Sequence, residues 1–233
     1  MENYRCELGE IRKLEDLKLM KLSGNHSKFQ MNLSDHIMSR LNVQRRYEVR
    51  LPSREDWEED SIITAGFDSV WYTDGLRTNE GVGLGIFNNH FTKFLSLGKE
   101  MTVYQAEVLA ITTCVEELLD QNMSGNKILI CSDSQSVLKA LSKDEIKSAV
   151  IYDCCRKINE LAVHNEVVLT WVPGHTNIKG NERADALAKQ GAKQKFCGPE
   201  PHTGLSLGVV RHAKKEWIND KFIYGWYKVP RLR

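Results

Sequence analysis

The sequence predicts an α/β fold: a mixed five-stranded sheet, three antiparallel strands followed by parallel ones, with helices on both faces. Three observations predict it. Three short β-branched and aromatic runs follow one another between Val70 and Leu97, with only tight connections between them. Two later apolar runs, Lys127 to Ser132 and Glu166 to Val172, are set apart by stretches of helical periodicity, as right-handed crossovers between parallel strands require. The chain has 233 residues, 41% hydrophobic and 27% charged, enough for one well-buried domain with extensions.

The elements read in order. Val70 to Thr73 is the first strand, closed by the turn pair Asp74-Gly75. Val82 to Asn88 is the second; Gly81, Gly83 and Gly85 mark a bend or a close backbone approach. Asn88-Asn89 turns the chain into the third, Phe91 to Leu97. Thr102 is placed to cap a helix in which Ala106, Leu109, Ala110, Thr113, Val115 and Leu118 recur at helical spacing as far as Gln121. Gly125-Asn126 breaks the chain before KILICS (127–132), whose continuous apolar character suits a buried central strand. Ser134 to Leu141 reads as a short helix, and Asp144 to His164 as one longer helix or two abutting ones. EVVLTWV (166–172) is the fifth strand, stopped by Pro173-Gly174. Gly180 to Lys193 is the last helix, capped near Asn177 or Asn181. The order is β-β-β-α-β-α-α-β-α.

Charge divides the chain into three. Residues 1–65 carry 11 Lys/Arg against 12 Asp/Glu, residues 66–194 carry 13 against 16, and residues 195–233 carry 8 against 3. The middle is therefore slightly acidic (13 − 16 = −3) and the tail basic (8 − 3 = +5). No run approaches the roughly 18 to 20 apolar residues of a membrane span, and the polar start of the chain lacks a secretory pattern. An intracellular protein, cytoplasmic or nuclear, is expected. The six cysteines form no C-x-x-C pair and fit neither a disulfide framework nor a zinc cluster, so reduced core thiols are expected.

Four acids stand at informative places. Asp74 ends the first strand, Glu107 lies in the first helix, Asp133 ends the fourth strand, and Asp185 is in the last helix. Chemistry in an open α/β sheet collects outside the carboxyl ends of the strands, and neighbouring first and fourth strands would bring Asp74 and Asp133 into one crevice. Singly, each has an ordinary reading: a turn residue, a solvated helix acid, a helix cap. Their settings argue otherwise. Glu107 is flanked by Ala106, Val108 and Leu109, and Asp185 by Ala184 and Ala186-Leu187-Ala188. Mutually repelling carboxylates on apolar surroundings need a cation, and an all-oxygen set selects Mg²⁺ or Mn²⁺.

The segments YTDG (72–75), QAEVLAI (105–111), CSDSQSV (131–137) and VPGHTNIKGNERADALA (172–188) together closely resemble the ribonuclease H domain, nearest to the forms carried by non-long-terminal-repeat retroelements. The resemblance covers 66–194, all four blocks in the right order. It implies a ribonuclease H-like fold and an endonuclease that hydrolyses the RNA strand of RNA–DNA hybrids, leaving 5′-phosphate and 3′-hydroxyl ends. It further implies two Mg²⁺ ions, with Mn²⁺ a possible substitute, held by Asp74, Glu107, Asp133 and Asp185. Asp74 would bridge the ions, Asp185 would help hold the one that activates water, and Glu107 and Asp133 the one at the leaving oxygen. His175, between Gly174 and Thr176 in a polar loop, would be the family's mobile proton carrier.

Substrate contacts depart from the family pattern. Leu76 follows the Asp-Gly pair where a small residue is common, and Val103 and Tyr104 stand where Asn and Gln often read 2′-hydroxyls. Backbone groups at Gly75 and Gln105, the Gln135 side chain, and Thr102 toward a DNA phosphate are the remaining candidates. The 42 positions from Asp133 to His175 leave little room for the basic handle that some members insert, and residues 1–65 show no duplicated hybrid-binding module, so weak, strongly salt-dependent binding by the isolated middle domain is expected.

The flanks are an N-terminal extension (1–65), a polyprotein remnant or linker with an acidic run from Glu55 to Asp60 around Trp57, and a tail (195–233) with one helix, Leu205 to Phe222. Beyond that helix, Tyr224, Trp226 and Tyr227 stand among basic residues and could either stack bases or dock on the domain. Met1 points to a truncated or co-opted copy. The expected partners are the hybrid and a reverse transcriptase or other retroelement product, and the expected state is a monomer. Two other functions compete: a catalytically silent, retroelement-derived binding module, and a transposase or integrase on the same sheet. Intact acids weigh against the first, and the block from His175 to Asp185 against the second.

Overall fold

A computed structural model describes residues 35–57, 63–99, 101–174 and 176–196, together with positions 203, 204, 212, 215, 216, 218 and 219. Nearly all of them fall in one unit, Ile37–Thr203. The main sheet contains the five expected strands: β3 (Ser69–Arg77), β4 (Val82–Asn88), β5 (Phe91–Gly98), β6 (Lys127–Ser132) and β8 (Glu166–Trp171). A sixth, β2 (Glu48–Arg50), was not legible in the sequence. The spatial order is β2-β8-β6-β3-β4-β5. β3, β4 and β5 are antiparallel neighbours, whereas β3, β6, β8 and β2 run parallel. A separate two-stranded sheet pairs β1 (His36–Asn42) with β7 (Glu145–Ser148).

Two expectations about the strands change. Asp144 to His164 is not wholly helical, because Glu145–Ser148 forms β7 before the helix begins. Its partner β1 lies about a hundred residues upstream, where local periodicity carries no trace of it. Ser148 then caps helix α3 (Ala149–Leu161) by accepting from the Ile151 N–H. The pair Asp74-Gly75 is not a turn: β3 continues to Arg77, with Asp74 opposite Gly85 and Gly75 opposite Leu84.

Helix α1 (Val103–Asp120) covers one face of the sheet, and its N-terminus is a capping box: Thr102 and Gln105 each bind the other's backbone. Ile111 and Leu118 of α1, Ile128 and Ile130 of β6, Leu138 of α2 (Gln135–Leu141) and Ile158 of α3 are buried together in the main core. Helix α4 (Lys179–Lys193) takes the other face, over β3, β4 and β5. Its N-cap is Ile178 rather than an asparagine; Asn177, with φ 62°, supplies the left-handed bend before it. The close approach read from the β4 glycines is present. A Cβ on Gly85 would stand 2.1 Å from the Ala184 carbonyl oxygen, and one on Gly83 2.2 Å from the Ala192 nitrogen. Bare backbone in β4 lets α4 lie directly on the strand, which carries Asp185 inward.

Cys114, Cys131, Cys154 and Cys155 are buried free thiols. Among the described residues, no helix is long and apolar enough to cross a membrane. In the second unit, Met1–His36 with Gly204–Arg233, described positions are few. His212 Nε2 and Glu216 Oε1 stand 3.5 Å apart, one helical turn from each other. Most of the tail, including Tyr224, Trp226 and Tyr227, lies outside the described residues.

Candidate metal centre

The sheet register assembles the site. Thr73 pairs with Ser132 across β3 and β6, so the next residues, Asp74 and Asp133, emerge side by side. β6 ends at that point while β3 continues against β4, leaving a gap beside Asp74 at the carboxyl ends of the parallel strands. Helix α1 fills one side of the gap with Glu107. It comes so close that a Cβ on Gly75 would lie 2.3 Å from the Glu107 nitrogen. A glycine is required there.

One carboxylate oxygen from each of Asp74, Glu107 and Asp133 lies within 4.8 Å of the others. Asp74 and Glu107 are each only 6% exposed. Asp74 Oδ2 and Glu107 Oε2 are buried and have no hydrogen-bond partner among the described residues. Burial, then the nearby charges of Asp133 and Asp185, push the Asp74 carboxyl up to about 7. Burial and the charges of Asp74 and Asp133 raise Glu107 well above the usual carboxylate range, against a backbone hydrogen bond from Gly75 that lowers it. Oriented hard oxygens, two of them lacking any donor, fit divalent cations.

Asp185 stands apart from this tight trio. It is near enough for its charge to act on Asp74, but its Oδ2 accepts from Lys189 Nζ at 2.5 Å, one turn along α4. Lys189 was missed in the sequence, although a Lys four residues after an Asp on a helix is a readable pair. His175 lies outside the described residues. Its neighbour Gly174 closes on Asp133: a Cβ there would meet Oδ2 at 2.8 Å.

The candidate substrate residues are placed as follows. Gly75 is buried against α1. Gln105, 3% exposed, and Thr102 are engaged in the capping box. Gln135 is exposed at the start of α2, its Oε1 accepting from Lys139 Nζ at 3.2 Å. Val103 is 45% exposed at the start of α1.

The family model described as RNase H matches residues 67–193, more than half of the chain. The chain belongs to the RNase H family. It is 25% identical over 168 residues to Ribonuclease H1 of Rattus norvegicus, an alignment covering 61% of this chain and 58% of that protein. It is 30% identical over 145 residues to Ribonuclease H of Nitrosomonas eutropha, covering 52% of this chain and 88% of the relative. A third match, 30% identical over 139 residues, is to the Pol polyprotein of equine infectious anemia virus and covers 58% of this chain but 11% of the polyprotein. The chain thus spans little more than half the length of the mammalian relative. The RNase H match contains the whole acidic cluster and begins after β2 and Trp57.

Proposed function

We propose that this chain is an endonuclease that hydrolyses the RNA strand of RNA–DNA hybrids with two Mg²⁺ ions, leaving 5′-phosphate and 3′-hydroxyl ends. The observation that carries the reading is the trio of Asp74, Glu107 and Asp133, within 4.8 Å, in which Asp74 Oδ2 and Glu107 Oε2 are buried and find no hydrogen-bond donor among the described residues. Bound there, divalent ions, Mg²⁺ or Mn²⁺, supply charge relief at the phosphate and an acidified water. The protein's part is positioning. Asp74, Glu107 and Asp133 hold the centre, and Asp185 completes it once Lys189 gives way. The Gly75 N–H orients the Glu107 carboxylate, and His175 moves a proton from its loop.

For recognition, we assign Gly75, Thr102, Gln105 and Gln135 as the substrate contacts. Gln135 offers an exposed amide and Thr102 a hydroxyl beside the α1 N-terminus, whereas the Gly75 and Gln105 N–H groups, already donated to Glu107 and to Thr102, would have to be shared with substrate. We take residues 66–194 as the catalytic domain, flanked by the extension 1–65 and the basic aromatic tail 195–233. The non-long-terminal-repeat character, a retroelement partner such as a reverse transcriptase, a monomeric state and an intracellular setting, cytoplasmic or nuclear, belong to the same reading. The viral Pol match supports the retroelement context.

A second reading, a catalytically silent binding module, is favoured by one observation: the exposed apolar Val103 where a polar reader of RNA is common. Labelled hybrid, duplex DNA and duplex RNA incubated with Mg²⁺, with chelator, and with Asp133→Asn separate the two. Cleavage of hybrid alone, lost with chelator and in the variant, is expected. Hybrid binding without cleavage would leave the silent module.

A further inference from the structure

We propose that Trp57, which lies outside the residues matched to the family, is a positioning residue for Asp133. The inference rests on the metal-centre reading of the acidic cluster and adds to it a support from the N-terminal extension.

The geometry begins at the edge of the sheet. Successive peptide groups of a strand point to opposite sides. The Val172 N–H donates to the Ser132 carbonyl at 3.0 Å, toward β6. The carbonyl of that same peptide, Trp171 O, therefore faces the other way, toward β2. But β2 stops at Arg50, opposite Thr170, and Pro52 follows with no N–H to offer. The Trp171 carbonyl is left at a buried edge with no strand to serve it.

Trp57 fills the place. Its short 3₁₀ turn, Glu55–Trp57, folds the chain back so that the indole Nε1–H donates to Trp171 O at 2.9 Å. Trp171 passes the constraint on: its own indole Nε1–H donates to the Asp133 carbonyl at 3.0 Å. That carbonyl also accepts the Gln135 N–H at 3.1 Å, so two donors fix its peptide plane. Trp57 and Trp171 are 5% and 9% exposed, where an indole N–H without an acceptor would be costly. The strand end that carries Trp171 also leads into Gly174, packed against Asp133 Oδ2. One anchored backbone thus sets the direction of the Asp133 side chain and the wall beside it.

The sequence marks neither indole for this. Trp57 reads as an aromatic in an acidic run, and Trp171 as a strand residue. Only the register of β8 between β2 and β6 shows that their hydrogen bonds run in series.

The test uses the full 233-residue chain. Trp57→Phe keeps an aromatic ring and removes the N–H; Trp171→Phe breaks the second link. For each variant and their double, Mn²⁺ affinity is measured by calorimetry without nucleic acid, Tm by thermal melting, and kcat and KM on labelled hybrid. Loss of one neutral hydrogen bond from a series predicts Mn²⁺ binding weaker by about three- to tenfold in Trp57→Phe. A matching fall in kcat and an unchanged KM are expected. Trp171→Phe should lose at least as much, and the double variant no more than Trp171→Phe alone, because both lie on one path. A Trp57→Phe chain that melts earlier yet binds Mn²⁺ like the parent would overturn the proposal, leaving Trp57 as plain structural support. Should Trp57→Phe fail to fold, parental Mn²⁺ affinity in Trp171→Phe would overturn it equally. If the parent itself takes up no Mn²⁺, the metal-centre reading falls first.

Discussion

Gly75 and Glu107 touch through their backbones: the space a Cβ would need at Gly75 is taken by the Glu107 nitrogen, 2.3 Å away. Helix α1 therefore leans on a bare peptide of β3. Gly75→Ala should push α1 outward, costing about 1–3 kcal/mol or more in urea unfolding. It should also weaken Mn²⁺ binding, because Glu107 moves with the helix. A variant with parental stability and affinity would show that α1 is not seated as described.

Asp133→Asn should separate activity from stability. The charge of Asp133 raises both Asp74 and Glu107, so its removal relieves repulsion in the buried cluster. Without metal, the variant should melt higher than the parent at pH 7 to 8. With metal, hybrid cleavage should fall by several orders of magnitude, since a ligand charge is gone. A lower Tm in chelator would contradict the electrostatic account.

The metal-free protein should lose stability as pH rises. Asp74 is pushed up to about 7 from the ordinary carboxylate value near 4, mainly by burial. The folded state then holds a proton that the unfolded chain has released. Its stabilisation is complete below the unfolded value and disappears as pH climbs through about 7, with a slope of at most about 1.4 kcal/mol per pH unit for this one group. Glu107 shifts in the same direction. Thermal melts in chelator from pH 4 to 8 should show the decline. Saturating Mg²⁺ should flatten or reverse it, because the ion favours the deprotonated site.

Thr102→Ala tests whether the capping box is the whole role of that residue. Loss of the cap should cost about 1 kcal/mol of stability. Mn²⁺ affinity should not change, as the hydroxyl faces Gln105 rather than the acids. A rise in KM on hybrid, beyond any stability effect, would place Thr102 in contact with substrate as well.

Lys189→Gln should bind Mn²⁺ a few-fold more tightly, since Lys189 holds the Asp185 oxygen and adds a positive charge beside the site. Stability should change by less than about 1 kcal/mol, because the Lys189 side chain is half exposed. Weaker metal binding in this variant would mean that Lys189 orients Asp185 rather than competing for it.

The five expected strands, and the convergence of Asp74, Glu107 and Asp133, were legible because they follow from local patterns: apolar runs, helical spacing, and acids set at or near the ends of apolar runs. Asp74-Gly75 misled because the dipeptide is ordinary turn chemistry. In the fold, the glycine answers to α1 packing against it, a contact 32 positions away in the chain. β2 and β7 were hidden for a related reason. Each is short, and each exists only because a distant strand offers it a ladder. Asp185 was read only as a fourth acid of the cluster; its engagement with Lys189 comes from helix geometry rather than from the surrounding alanines.

β2 has a consequence for how far the protein can be cut back. A chain trimmed to residues 67–193 would keep Asp74, Glu107, Asp133 and Asp185 yet uncover one side of β8, whose Val167, Val168 and Leu169 are buried in the intact sheet. That margin would be a row of open amides and carbonyls on a flat, greasy strand, ready to zip onto its own copies. The minimal domain should therefore purify as aggregates, whereas a chain beginning before Glu48 should remain dispersed.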